Sequence, residues 1–405
     1  MKIVHTSDWH LGSRMLDMTR PDEYKSFLEW LLRLLEKERP DALLVSGDVF
    51  DTGTPGEKTR ELYCEFLSRA DATGCRQIII TAGNHDGVAQ LEVSKPLLRR
   101  HHCVVVTHLN RDTAEECLVP ILNDEGEEQG LVCAVPFLRP NEVSLPQAEE
   151  ERQYSYVRGV AAVYERVAEL AAEWKAAHPG LPVVAMGHLA VVGAEPTAAT
   201  RPLIGTLDVV EQGIFSPVFD YVALGHIHKP TADTETRVLY SGSPLAIGLD
   251  EAAYEHRVLL VDLACGERHV RAMEVEAPVR YVKSVCRQRA DLESEIERLR
   301  QSAGAPVWLW LEYHGADITT AELNNMLREA LPREVAPVIR AMRVRPTASG
   351  AGRITEPSAR LADYTPEYIF RRALDEYMDE NPGTEDKRNE LTQMFRMIMS
   401  ELQNN

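Results

Sequence analysis

The sequence predicts an α/β protein built on a parallel sheet covered by helices. Two observations carry that expectation. Residues 1–86 alternate short apolar runs with amphipathic stretches in the order strand–helix–strand–helix–strand, the pattern of a parallel sheet with helical crossovers. Each apolar run also ends in Asp, Asn or His, and side chains gather for function at the carboxyl ends of such strands.

The elements follow in order. Ile3-Val4-His5 reads as a buried strand that runs into Thr6-Ser7-Asp8-Trp9-His10. Tyr24, Phe27, Leu28, Leu31 and Leu35 recur at helical spacing over residues 22–38, between Pro21 and Pro40. Ala42-Leu43-Leu44-Val45 is a strand leading to Gly47-Asp48-Val49-Phe50-Asp51, and Leu62, Phe66 and Ala70 mark the next helix. Gln77 to Ala82 is a β-branched strand ending in Gly83-Asn84-His85-Asp86, with a helix expected over 88–100. Strands are expected near 104–107 and 131–136, separated by the turn at 124–129. A long helix covers 153–176 and stops at His178-Pro179-Gly180. Two further strands end in polar residues, Pro182 to His188 and Asp220 to His228, and β structure is expected over 238–248 and 257–276.

Beyond Pro278, residues 278–346 repeat the alternation on a smaller scale and predict a compact α+β domain. Residues 347–363 read as a Gly/Ser/Pro linker, and 364–405 as two amphipathic helices split by Asn381-Pro382-Gly383. Val307-Trp308-Leu309-Trp310-Leu311 is apolar on both faces, so both tryptophans are expected in the core.

Composition narrows the function classes. The 405 residues suggest roughly two to three domains. A net charge of −19 argues against coating nucleic acid by bulk charge, without excluding a local basic surface. No apolar run approaches the roughly 20 residues of a membrane span. The seven scattered cysteines form no Cys-x-x-Cys, and no secretory leader precedes the first strand, so a reduced, cytoplasmic chain is expected. Gly56-Glu57-Lys58-Thr59 lacks the spacing of a phosphate loop, so ATP hydrolysis is not expected here.

The residues that carry chemistry are Asp8, His10, Asp48, Asn84, His85, His188, His226 and His228. Each motif alone has an ordinary reading: Gly47-Asp48 as a turn, Gly83 to Asp86 as a turn and helix cap. The recurrence of such groups at five strand ends is what those readings leave unexplained. Phosphoester hydrolysis at neutral pH needs an activated nucleophile and relief of phosphoryl charge, which two divalent ions about 3.5–4 Å apart supply. Two cations so close need an anionic bridge, for which Asp48 is the natural candidate. Mixed imidazole, carboxylate and amide donors suit manganese, iron or zinc better than calcium or magnesium.

The order Asp-x-His, Gly-Asp, Gly-Asn-His-Asp, Gly-His, Gly-His-x-His resembles the calcineurin-like metallophosphoesterases. The strings Ser7-Asp8-Trp9-His10-Leu11-Gly12, Gly47 to Gly53 and Pro136-Phe137-Leu138-Arg139-Pro140 narrow the resemblance to the SbcD nucleases, related to double-strand-break-repair nucleases. The resemblance implies a sandwich of two β-sheets flanked by helices, a DNA-binding capping domain at 278–346, and a tail that docks an SbcC-type coiled-coil ATPase. It implies two divalent metals, manganese favoured, one on Asp8, His10, Asp48 and His228 and the other on Asp48, Asn84, His188 and His226. His85 would be a non-ligand that contacts the scissile phosphate, oriented by Asp86. Some relatives carry histidine at Asp51, which here is expected only to support its loop. Residues 279–346 hold eleven Lys/Arg against nine Asp/Glu, and Arg280, Lys283, Arg287, Arg289, Arg340, Arg343 and Arg345 are the candidate phosphate contacts. Dimerisation through helices 57–70 and 88–100, within a heterotetramer, is also implied. The alternative is a phosphatase or small-molecule phosphodiesterase of the same fold.

Overall fold

The computed structural model describes residues 1–16, 18–92, 102–143, 152–192, 209–264, 266–301 and 306–344, with six isolated positions of the tail. Its strands are β1 (Lys2–Thr6), β2 (Ala42–Ser46), β3 (Gln77–Thr81), β4 (Cys103–Val106), β5 (Leu118–Leu122), β6 (Glu128–Cys133), β7 (Val183–His188), β8 (Tyr221–Gly225), β9 (Val238–Tyr240), β10 (Arg257–Ala264), β11 (Glu267–Glu274), β12 (Arg280–Cys286), β13 (Val307–Tyr313) and β14 (Val338–Arg343). The main helices are α1 (Pro21–Glu38), α2 (Glu57–Ala70), α3 (Val88–Glu92), α4 (Arg152–Ala177), α5 (Arg289–Gln301) and α6 (Thr320–Ala330).

Two sheets pack face to face. One has the order β11-β10-β1-β2-β3-β4, with β1 to β4 parallel and β10 antiparallel to β1. The other has the order β9-β8-β7-β6-β5, parallel except at β5. Ile3, Leu44 and Ile79 from the first sheet meet Val184, Met186 and Ala223 from the second in the central core. α1 and α2 cover the outer face of the first sheet, and α4 that of the second. Burial on both faces explains why β1, β2, β3, β7 and β8 read as continuous apolar runs. His5 is the exception, fully buried between the sheets. Its Nε2–H donates to the Leu224 carbonyl (3.2 Å) and its Nδ1 accepts from the Tyr221 hydroxyl (2.8 Å). Burial lowers its pKa to about 3, so it joins the two sheets as a neutral group.

Two expectations change. β5 escaped notice because Leu118-Val119-Pro120-Ile121-Leu122 carries a proline; an edge position tolerates it. The strand expected over 238–248 stops at Tyr240, and residues 241–251 form a loop with a 3₁₀ turn at Leu249–Glu251.

β12, β13 and β14 form a small parallel sheet with α5 and α6 on one face. On the other face Trp308 packs with Met15 and Ala246, joined by Leu16, Leu249, Tyr281 and Val338. Arg20, buried, crosses the same seam: its guanidinium donates to Ser13 Oγ (2.6 Å), Tyr24 Oη (2.6 Å), Ala246 O (2.6 Å) and Tyr281 Oη (2.9 Å). Met1–Pro346 therefore forms one compact unit, and Thr347–Asn405 a second. Trp308 is buried as expected, but Trp310 is half-buried, because only the Tyr281–Trp308–Val338 row of that face is covered.

Only Val88–Glu92 of the helix expected over 88–100 falls within the described residues. The linker at 347–363 and nearly all of the helices expected over 364–405 lie outside them. Among the described residues no helix is long and apolar enough to cross a membrane.

Candidate metal centre

The carboxyl ends of β1, β2, β3, β7 and β8 converge along one edge of the sandwich, and all eight sequence-selected residues meet there. The β1 and β2 loops are laced together: Asp8 N donates to Gly47 O (3.0 Å), His10 N to Asp48 O (3.0 Å) and Leu11 N to Val49 O (2.9 Å). Asp8 (φ 52°), His10 (φ 44°), Asp48 (φ 51°) and His226 (φ 93°) all lie in the left-handed region. That conformation is costly for non-glycine residues and persists where surrounding structure imposes it, chiefly at functional sites. Gly47 (φ 84°) sits in the same region and packs its Cα face on the His188 ring, where a Cβ would clash. Trp9, between the first two site residues, points the other way. It is fully buried, donates to Thr6 Oγ1 (3.0 Å), and meets Phe27 and Phe66 edge-on.

The donors form overlapping groups. Asp8, His10 and His228 present ligand atoms within 4.8 Å of one another, as do Asp8, Asp48 and His188, and His10, Asp51 and His85. His188 Nε2 and His226 Nδ1 each lie 3.0 Å from Asn84 Oδ1. Asp48 stands between the groups, its Oδ2 3.5 Å from His10 Nε2 and 3.3 Å from His188 Nε2. Its Oδ1 accepts the His85 backbone N–H (2.8 Å).

The proton positions indicate what these groups fit. His228 Nδ1 faces Glu251 Oε1 at 2.7 Å, and His10 Nδ1 lies 3.3 Å from Asp51 Oδ1. The Glu251 carboxylate holds a proton on His228 Nδ1, so His228 Nε2 turns its lone pair toward His10 Nε2, 3.2 Å away, while the buried His10 Nδ1 has no hydrogen-bond partner. His188 Nδ1–H donates to Ser46 O (2.9 Å), which leaves Nε2 as the nitrogen that faces the Asn84 oxygen and Asp48. Imidazole nitrogens, carboxylates and an amide oxygen thus converge with an unpartnered buried nitrogen among them, a donor set that fits a borderline divalent metal.

In the metal-free protein these groups pair by charge. Burial would raise the pKa of Asp48, but His188, His10 and His85 outweigh it and hold the carboxyl well below its usual range. Burial would lower that of His188, yet the Asp48 and Asp8 carboxylates raise it to about 9. His226 falls to about 3, through burial and then the neighbouring His188 charge. Asp86, buried and close to Asp48, rises to about 6 while accepting the N–H groups of Gly83, Val49 and Phe50. Asp86 thus braces the β2 and β3 loops around His85. His85 Nδ1–H donates to the Asp51 carbonyl (2.8 Å), and its ring meets that of His10 edge-on.

Residues 1–230 match the calcineurin-like phosphoesterase family. The chain is 34% identical over 389 residues to the SbcD component of nuclease SbcCD from Escherichia coli K12, covering 92% of each chain. It is 34% identical over 393 residues to the SbcD component from Rhodobacter capsulatus, covering 92% of this chain and 94% of that one. Against the Bacillus subtilis counterpart it is 29% identical over 346 residues, 82% and 84% of the two chains.

The chain belongs to the SbcD branch of the calcineurin-like phosphoesterases. This family uses divalent metal ions, which the donor set above fits.

Sequence reasoning missed Glu251 and Ser241. Ser241 Oγ pairs with Ser7 Oγ (2.9 Å), which donates to Asp8 Oδ2 (2.5 Å). Both residues lie in the 241–251 loop, which has no periodicity or motif to mark it. Asp51 does more than support its loop, because its carboxylate lies by His10 and its carbonyl holds His85.

The candidate phosphate contacts are not brought onto one surface. Lys283 and Arg340 flank Trp310 in register on the open face of the small sheet, where Glu312 lies 3.4 Å from Lys283 and accepts the Trp310 indole N–H (3.1 Å). Arg280 and Arg343 pair with Val307 and Tyr313, whose side chains enter the helix-side core. Arg289 lies 3.3 Å from Glu293 in its own helix, Arg287 is exposed at the end of β12, and Arg345 falls outside the described residues.

Proposed function

We propose that this chain is a two-metal DNA phosphodiesterase, the nuclease partner of an SbcC-type coiled-coil ATPase in recombination and repair. The observation that carries the reading is the convergence of five strand-end motifs into two donor groups that share Asp48. Manganese suits the mixed donors, with Asp8, His10, Asp48 and His228 holding one ion and Asp48, Asn84, His188 and His226 the other. When bound, such ions supply Lewis acidity toward phosphoryl oxygens and activate water at neutral pH.

The chain's own residues supply the rest. His85 spends Nδ1–H on the Asp51 carbonyl, so it acts as general acid in its imidazolium form, giving up the Nε2–H proton and returning to the neutral ring. As water attacks phosphorus, the bond to the leaving sugar oxygen breaks, and that oxygen takes the proton from His85. Asp86 fixes the β2 and β3 loops, and hence His85, through three backbone N–H bonds. Lys283 and Arg340 beside Trp310 offer cations and a stacking ring for the nucleic-acid strand, consistent with a capping role for residues 278–346.

Exonuclease action on duplex ends and endonuclease action on single strands and hairpins belong to the same proposal. So do a cytoplasmic location, supported by the six described cysteines all being free thiols, and dimerisation through the surface around α2 and α3. Purified protein with MnCl₂ should degrade a labelled duplex and open a hairpin. Hydrolysis of small phosphoesters only, with DNA left intact, would instead establish a small-molecule phosphodiesterase. Removing residues 364–405 should abolish capture of the ATPase and leave metal content unchanged; retained capture excludes the tail as its dock.

A further inference from the structure

The loop 241–251 touches the metal centre on one side and the small sheet on the other, and Glu251 is where the two meet. Its side chain is fully buried. Oε1 accepts the Nδ1–H of His228 (2.7 Å), while Oε2 accepts the N–H of Ile247 (2.8 Å) from the same loop. One residue before Ile247, the carbonyl of Ala246 accepts Arg20 Nη1 (2.6 Å), which also donates to Tyr281 Oη on β12 (2.9 Å). The Ala246 side chain packs with Trp308 on β13.

A carboxylate on the distal nitrogen fixes the tautomer and ring plane of a ligand histidine and raises its basicity. Glu251 cannot move without giving up the Ile247 N–H, and Ile247 adjoins the residue clasped by Arg20 and Trp308. We propose that Glu251 is a positioning residue for His228, and that the small domain, through Tyr281, Arg20 and Ala246, sets where it holds that histidine. The metal site would thereby sense how the small sheet is seated. This inference rests on the metal-binding reading above.

Titration calorimetry of MnCl₂ into the metal-free full-length protein tests it, with the unfolding midpoint measured alongside. The parent should bind two ions. Glu251→Gln keeps the shape and an acceptor oxygen but removes the charge. It should leave the midpoint within a few degrees and weaken one ion by about 10–100-fold while sparing the other. Tyr281→Phe, which removes only the hydroxyl at the seam, should weaken the same ion several-fold. If Glu251→Gln folds poorly, Glu251→Asp, which keeps the charge but draws it back, should show the same selective loss. Parent affinity in the Glu251 variants, or equal weakening of both ions, overturns the positioning role. Parent affinity in Tyr281→Phe overturns the coupling to the small domain. A parent that binds no manganese at all refutes the metal reading instead.

Discussion

Replacing His85 with alanine separates two roles that the structure leaves adjacent. The ring nitrogens of His85 lie close enough to His10 and Asp51 for the three residues to hold an ion among them, so His85 is by position alone a possible ligand. Its hydrogen bonds argue for proton transfer. The backbone N–H, not the ring, holds Asp48 (2.8 Å), and alanine keeps that bond. What disappears is the imidazole and its bond to the Asp51 carbonyl. A positioned general acid contributes about 10²–10⁴-fold, so kcat should fall by that factor, or about 3–5 kcal/mol in the barrier. KM for DNA should change little, because the proposed strand contacts are Lys283, Arg340 and Trp310, away from His85. The assay is steady-state degradation of a labelled duplex in MnCl₂, with bound manganese counted in the same preparation. Undiminished kcat would remove His85 from the chemistry. Loss of one ion together with activity would make it a ligand and refute the proton-transfer role.

Three more tests address the fold, the protons and the strand contacts. Trp9→Ala empties a fully buried indole site and orphans Thr6 Oγ1, so it should cost about 3–5 kcal/mol in denaturant unfolding; an unchanged midpoint would show that Trp9 does not hold the β1 loop. In the metal-free protein His188 has a folded pKa of about 9, above its unfolded 6.5, so its proton stabilises fully below pH 6.5 and that stability is lost as pH rises through about 9. A cation must displace that proton. Manganese affinity should therefore climb with pH up to about 9, with about one proton released at pH 7.5 by calorimetry in buffers of different ionisation enthalpy; no proton release would contradict the His188–Asp48 pairing. Lys283→Ala with Arg340→Ala should weaken DNA binding and lower its salt slope by about one per cation, whereas Arg280→Ala with Arg343→Ala should change the slope far less. The reverse ranking would move the strand off the open face of the small sheet.

Much of the candidate site was legible because its signals are local. A strand followed within two or three residues by Asp, Asn or His announces both its burial and its polar end. Asp8, Asp48, Asn84, His188 and His226 could therefore be selected without knowing which touches which. The helices and strands of the small sheet were legible for the same reason, since the helical face of Leu292, Ile296 and Leu299 is a short-range pattern. β5 and the 241–251 loop were not, because an edge strand with proline and a loop without periodicity carry no such signal.

By itself, then, the sequence determined the alternation of elements, the family and the candidate metal donors, all of which depend on spacing along a few residues. The tertiary structure alone decided which groups face each histidine nitrogen, which cations share a face with Trp310, and that Glu251 stands behind His228. Those facts depend on distances between segments remote in the chain. They are set by how two sheets and a small domain pack, and side-chain spacing along the chain does not encode them.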